Sequence, residues 1–141
     1  MTSAVTAEAL NQFFAQWEGE GQPVPIITGA EKDRVFLRLT VGRRHLRPGG
    51  YISGPTQMAL VDQAAYAAVF TRTGIVPMAL TSNLNIHFLR PCQGQAVLCE
   101  AEILKFGRAS ILIECAVRAE GADKLVSHAT VTYVLPRTDE A

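Results

Sequence analysis

Only 18% of the 141 residues are Asp, Glu, Lys or Arg, so groups able to do chemistry are few and their surroundings matter. From Gly54 to Thr71 the sequence GPTQMALVDQAAYAAVFT holds one charged side chain, Asp62, and one other ionisable group, the phenol of Tyr66. A carboxylate in so apolar a stretch is costly unless it is solvated or hydrogen-bonded. Asp62 is therefore either a group held for reaction or an aspartate satisfied by water or neighbouring backbone. Held for reaction, it can act as a nucleophile or as a general base toward water. Gly54 opens the same stretch. At a helix start, a residue without Cβ lets a substrate approach an unpaired N–H, where the positive dipole end favours developing negative charge. Pro55 cannot donate, and the alternative for Gly54 is a glycine that only eases the turn into the helix.

The helix that must position both groups is legible from composition. Ala, Leu and Met dominate the stretch, Ser53 or Gly54 can cap it, Pro55 suits the first turn and Gly74 ends it. Apolar side chains surround almost its whole circumference, which predicts burial by other elements. Its rise of 1.5 Å per residue separates Asp62 from Gly54 by about 12 Å, too far for both to meet one carbonyl group. If both act, Asp62 of one subunit works with Gly54 of another, in an isologous dimer with two equivalent sites.

Around that helix the chain reads mostly as strand. Thr6 to Trp17 carries Leu10, Phe13, Phe14 and Trp17 at helical spacing and predicts a short amphipathic helix, ended by Gly19, Gly21 and Pro23. A short strand is possible over Pro23 to Thr28, a turn is expected over Gly29 to Asp33, and Val35 to Val41 alternates as a strand. Gly42 to Ser53 is a polar loop. After Gly74, alternation places Met78, Leu80, Leu84, Ile86 and Phe88 on one face and Thr81, Asn83, Asn85 and His87 on the other. Three more alternating runs follow, around Val97–Ile103, Ile111–Val117 and Leu125–Leu135, with turns at Gly94, Gly107–Arg108 and Gly121–Asp123. The short second and third turns predict antiparallel hairpins.

This is an α+β pattern, an antiparallel sheet curled around a long central helix and preceded by a short N-terminal helix. Residues 1–22 form the N-terminal helical segment, 23–137 one domain and 138–141 a short polar tail. The helix is about 27 Å long, comparable to the width of five or six strands. A sheet covers it on one side only, so a homodimer or homotetramer is expected.

Balanced charge, 13 basic against 13 acidic residues, removes the footprint of a nucleic-acid or anionic-membrane binder. No stretch approaches a membrane span or a leader sequence, which points to a cytoplasmic protein with no membrane partner. Cys92, Cys99 and Cys115 lack C-x-x-C spacing, and His45, His87 and His128 lack ligand spacing, so neither a metal nor a cofactor is expected.

The blocks SGPTQMALVDQAAYAAVF, LTSNLNIHFLRPCQG and AEILKFGRASILIECAVRAEGADKLVSHATVTYVLP together resemble the hotdog-fold acyl-CoA thioesterases of the phenylacetic-acid PaaI type, within the 4-hydroxybenzoyl-CoA thioesterase-like superfamily. The resemblance spans roughly Arg47 to Pro136 and is most specific at Asp62 and at the N-x-N-x-x-F-L-R-P strand, Asn83 to Pro91. It implies a hotdog domain, assembly into dimers or tetramers, and hydrolysis of an acyl- or aryl-CoA thioester to acid and CoA. Asp62, the glycine at Gly54 and a hydroxyl at Thr81 match the family's register. Ser53, Gly54 and Pro55 stand where such enzymes usually carry His-Gly-Gly, and Arg47 stands where an asparagine is often found.

Within that reading, Thr81 can orient Asp62 or the attacking water and Gln57, a helical turn before the aspartate, can contact substrate, or each is an ordinary polar contact. Arg43, Arg44 and Arg47 can contact coenzyme A phosphates, because guanidinium groups bind phosphate bidentately, or can be solvated loop residues. Ser53 lies near the site but lacks G-x-S-x-G flanks and an activating pair, so capping is its expected work. Two other readings remain at this stage: a hotdog dehydratase or hydratase, with His45 as base, and a non-catalytic acyl-CoA binding module, motivated by the missing His-Gly-Gly.

Overall fold

A computed structural model describes residues 2–17 and 24–137. In chain order the elements are α1 (Ala7–Ala15), β1 (Ile26–Glu31), β2 (Arg34–Thr40), α2 (Gly54–Thr73), β3 (Leu80–Phe88), β4 (Ala96–Phe106), β5 (Ser110–Ala119) and β6 (Ser127–Val134), with one 3₁₀ turn at Arg43–His45. The six strands form one antiparallel sheet in the order β1-β2-β4-β5-β6-β3. β4, β5 and β6 are successive hairpin partners, as their short turns require.

Period-two alternation sets the inner face of the sheet. Val35, Leu37 and Leu39 of β2 and Ile111, Ile113 and Val117 of β5 are buried against α2. On the helix, Leu60, Val61, Ala64, Ala65, Ala67 and Ala68 are buried in return, the alanines allowing close approach of helix to sheet. Ser53 caps the helix, its hydroxyl accepting the Thr56 N–H at 3.2 Å, and Gly74 closes it with φ of 75°. Among the described residues no helix is long and apolar enough to cross a membrane, and no group of three His, Cys, Asp or Glu side chains is placed to hold a metal ion.

Three sequence expectations change. The turn expected at Gly29–Asp33 shrinks to Lys32–Asp33, because β1 continues through Glu31. Gly29 serves cross-strand approach instead, since a Cβ there would sit 3.2 Å from the Phe36 ring. Trp17 does not share the buried face of α1: the helix stops at Ala15, and Trp17 is 78% exposed. In β3 the even alternation fails at a β-bulge between Thr81 and Asn83. Thr81 is opposite Tyr133 and Leu84 opposite Val131, both inward-facing, so the extra residue brings Thr81 onto the face of Leu84 and turns Leu80 outward. Met78 precedes the strand and is exposed. Gly19, Gly21, Pro23, the boundary at 22/23 and the 138–141 tail lie outside the described residues.

Covering of α2 by the sheet is one-sided, and the other side is itself divided. α1 covers the C-terminal half, with Phe13 edge-on to Phe70 at 5.6 Å and to Tyr66 at 6.2 Å. On the N-terminal half Pro55, Met58 and Ala59 are exposed. The sheet edges differ in the same way. Asn11 of α1 bonds both backbone groups of Ile27, accepting its N–H at 2.8 Å and donating to its carbonyl at 3.0 Å, so the side chain substitutes for a neighbouring strand at the β1 edge. No described strand lies beyond β3, whose nine residues end the sheet.

Candidate active site

Asp62 sits where α2 faces β3 and β6. The Thr81 hydroxyl donates to its Oδ1 at 2.7 Å, and the Tyr133 hydroxyl donates to the same oxygen at 2.7 Å while lying 3.1 Å from the Asp62 backbone carbonyl. The bulge in β3 is what places Thr81 within reach. Tyr133 is 3% exposed; burial foremost, then the bond to Asp62 and its charge, hold its phenol well above the usual tyrosine range against a lowering contribution from Thr81. Tyr66, one turn along α2, is raised by burial and then by the Asp62 charge. Its ring stacks on Tyr133 with centroids 5.5 Å apart at 11°, and its hydroxyl donates to the Pro77 carbonyl at 2.6 Å. Both phenols thus stay protonated around the carboxylate. Tyr133 reads in the sequence only as an inward residue of the last strand; the available signal was that a buried tyrosine hydroxyl needs a partner.

Gly54 is the first residue of α2, and the first-turn amides are nearly all accounted for. The Thr56 N–H goes to the Ser53 hydroxyl, the Gln57 N–H to the Ser53 carbonyl at 3.2 Å, and Pro55 has none. The Gly54 N–H is left without a partner among the described residues. It borders a cleft of about 560 Å³ whose walls include Arg47, Tyr51, Gln57, Phe88 and Arg90. A Cβ on Gly54 would lie 3.3 Å from Cζ of Phe88, so the missing side chain is what lets that half-exposed ring sit over the helix start. Gln57 is buried at 4% exposure; its Nε2 donates to the Ile52 carbonyl at 3.3 Å and its Oε1 has no partner. Ser53 is engaged as the cap, its hydroxyl 2.7 Å from that of Thr56.

The three loop arginines separate. Arg47 reaches the cleft, and Arg90, which the sequence reading did not single out, joins it there while donating to the Leu125 carbonyl at 2.6 Å. Arg44 borders a different hollow of about 190 Å³ with His45, Thr56 and Gln63, and Arg43 lines neither. His45 is 6% exposed. Its Nδ1 accepts the Gly42 N–H at 2.8 Å, and its carbonyl accepts from Ser53 N at 2.9 Å and Thr56 Oγ1 at 3.2 Å. Burial first, and the Arg44 charge second, lower its pKa. It braces the loop entering α2 and lines no part of the Gly54 cleft. The three cysteines are free and buried.

A hydrogen-bonded carboxylate and an N–H unpaired among the described residues therefore lie on one helix, eight residues and about 12 Å of rise apart. Asp62 is not among the residues lining the Gly54 cleft.

The sheet wrapped on a single long helix is the hotdog fold, and residues 49–126 match the model of the Thioesterase superfamily. The chain belongs to that family. Among solved structures it is similar to a candidate thioesterase from Silicibacter sp. TM1040, with 32% identity and a TM-score of 0.87 over 97% of this chain and 96% of the other. It shares the fold of zebra fish thioesterase superfamily member 2, at 22% identity and TM-score 0.83, over 94% of this chain and 100% of that one. A Haemophilus influenzae thioesterase gives 22% identity and TM-score 0.82, over 95% and 94%. No curated protein matches the sequence.

Proposed function

We propose that the protein is a thioester hydrolase acting on acyl- or aryl-CoA, and that each active site joins Asp62 of one subunit to the Gly54 N–H of another. The observation that carries the reading is the pairing on α2 of a carboxylate held by two hydroxyls with the one unpartnered first-turn amide. Thioester hydrolysis needs both: a nucleophile or base at the carbonyl carbon, and a donor where charge gathers on the carbonyl oxygen. Water supplies the oxygen of the acid, the C–S bond breaks, and the thiol leaves with the proton that balances it. The uncovered half of α2 beside the open β3 edge offers a second copy a surface to cover, and a two-fold there would bring Asp62 of one subunit to Gly54 of the other. A homodimer is the smallest functional unit, and a homotetramer built from it keeps the same sites. Arg47 and Arg90 at the cleft suit the phosphates of coenzyme A.

Ser53 and Pro55 replace the family's first and third motif residues, but the replacement keeps the donor. Ser53 draws off the Thr56 amide and Pro55 removes its own, so Gly54 remains the amide offered to a ligand. The test is thiol release from a panel of acyl- and aryl-CoA thioesters. Asp62→Asn should reduce kcat/KM for the best substrate by about 100-fold or more, with fold and assembly unchanged. Full activity in that variant overturns the assignment, and tight binding of a non-hydrolysable acyl-CoA without turnover of any thioester would favour a binding module.

A further inference from the structure

We propose that Tyr133 is a positioning residue of the reaction, its hydroxyl and that of Thr81 together fixing Oδ1 of Asp62 so that Oδ2 is the oxygen that reacts. The inference rests on the hydrolase reading and goes further, to which atom of the carboxylate does the chemistry. Oδ1 accepts two short bonds, each 2.7 Å, as many as its two lone pairs can take. Oδ2 accepts none among the described residues. The second contact of the same phenol, at 3.1 Å from the Asp62 carbonyl, ties the carboxylate to its own backbone and limits rotation of the side chain. Tyr133 is itself held. It is buried, pairs in register with Thr81 across β3 and β6, and stacks on Tyr66, whose hydroxyl is occupied by Pro77.

The electron pair that moves therefore comes from Oδ2 on either route. As a base, Oδ2 takes one proton from water, the resulting hydroxide oxygen bonds the carbonyl carbon, the C–S bond breaks, and that proton passes to the departing thiolate. As a nucleophile, Oδ2 bonds the carbonyl carbon and expels the thiolate. Water then opens the mixed anhydride, giving the acid and regenerating the carboxylate, and the remaining proton of that water passes to the thiolate. Tyr133 keeps its proton throughout, so it orients Asp62 and does not exchange protons with substrate.

The groups facing Asp62 are Tyr66 on its own helix, Thr81 on β3 and Tyr133 on β6. Arg34, Arg38, Arg72 and His128 pair with other carboxylates and not with Asp62. Removing a donor from the charged form raises the pKa of a carboxylate. Tyr133→Phe should lower kcat by about 10-fold with KM nearly unchanged, and should move the acid limb of the kcat/KM profile to higher pH. Site-specific 3-fluorotyrosine at position 133, a stronger donor that keeps the ring, should move the limb to lower pH and covers the case in which the phenylalanine variant fails to fold. An unmoved acid limb in a folded variant of either kind overturns the positioning role. If Asp62→Asn is inactive at the same time, the hydrolase reading stands alone; if Asp62→Asn keeps full activity, that reading fails first.

Discussion

Hydroxyl protons from Thr81 and Tyr133 converge on one oxygen of the half-buried Asp62 carboxylate. The donor proposed for the carbonyl oxygen is the backbone amide of Gly54, so its variant must act through space and shape. Gly54→Ala places a methyl group 3.3 Å from the half-exposed Phe88 ring, which can yield by a few tenths of an ångström, while alanine improves helix propensity by up to about 1 kcal/mol. The two effects nearly offset. The expected outcome is a melting temperature within a few degrees of wild type and thiol release reduced by about 10-fold or more, because the methyl group obstructs approach to the N–H. A variant with unaltered activity would remove Gly54 from the site. Asp62 and Gly54 were readable in the sequence because a lone charge in an apolar run and a glycine at a helix start are local anomalies. Tyr133 was not, because its partner lies 71 residues away.

Elements earn their geometry from a few side chains that satisfy backbone groups. The loop before α2 is closed by His45, whose buried ring accepts from Gly42 and whose carbonyl serves Ser53 and Thr56. Because folding lowers the His45 pKa, the unfolded chain binds more protons over the acid range. The stability this histidine confers is fully present above its unfolded value of about 6.5 and is lost as pH falls through the lower folded value. Melting temperature should therefore fall on acidification below about pH 6.5, and His45→Gln should flatten that part of the curve relative to wild type. At the far edge of the sheet, Asn11→Ala deletes both side-chain bonds to Ile27. Urea unfolding should report a loss of about 1–3 kcal/mol, since the β1 amide and carbonyl lose partners in a partly buried seam. Periodicity predicted these elements well, yet it could not foresee the bulge at Ser82. Strict alternation put Thr81 on the wrong face, and only pairing with β6 shows where the extra residue is absorbed.

For the whole molecule, the contrast between edges is decisive. One edge is closed by α1, while β3 and the N-terminal half of α2, with Met58 at 41% exposure, stay open together. Met58→Glu should leave the protomer folded, because the side chain already reaches solvent, and should shift sedimentation toward the 15.3 kDa monomer with loss of thiol release. Subunit complementation tests directly whether the site is shared. Inactive Asp62→Asn and Gly54→Val chains, unfolded together and refolded, should recover about a quarter of wild-type activity: half the dimers are mixed, and each has one intact site. No recovery in verified mixed dimers would place each site within one chain.

By itself the sequence determined the α+β pattern, the long apolar helix, the hairpin order and the two residues on that helix best suited to chemistry. These follow from local periodicity, capping and composition, which act over a few residues. Tertiary structure decided which hydroxyls meet Asp62, which first-turn amide is left unpaired, which arginines reach the cleft and which sheet edge stays open. Each of these depends on register between distant strands or on how a loop packs, and long-range pairing leaves no repeating mark along a single chain.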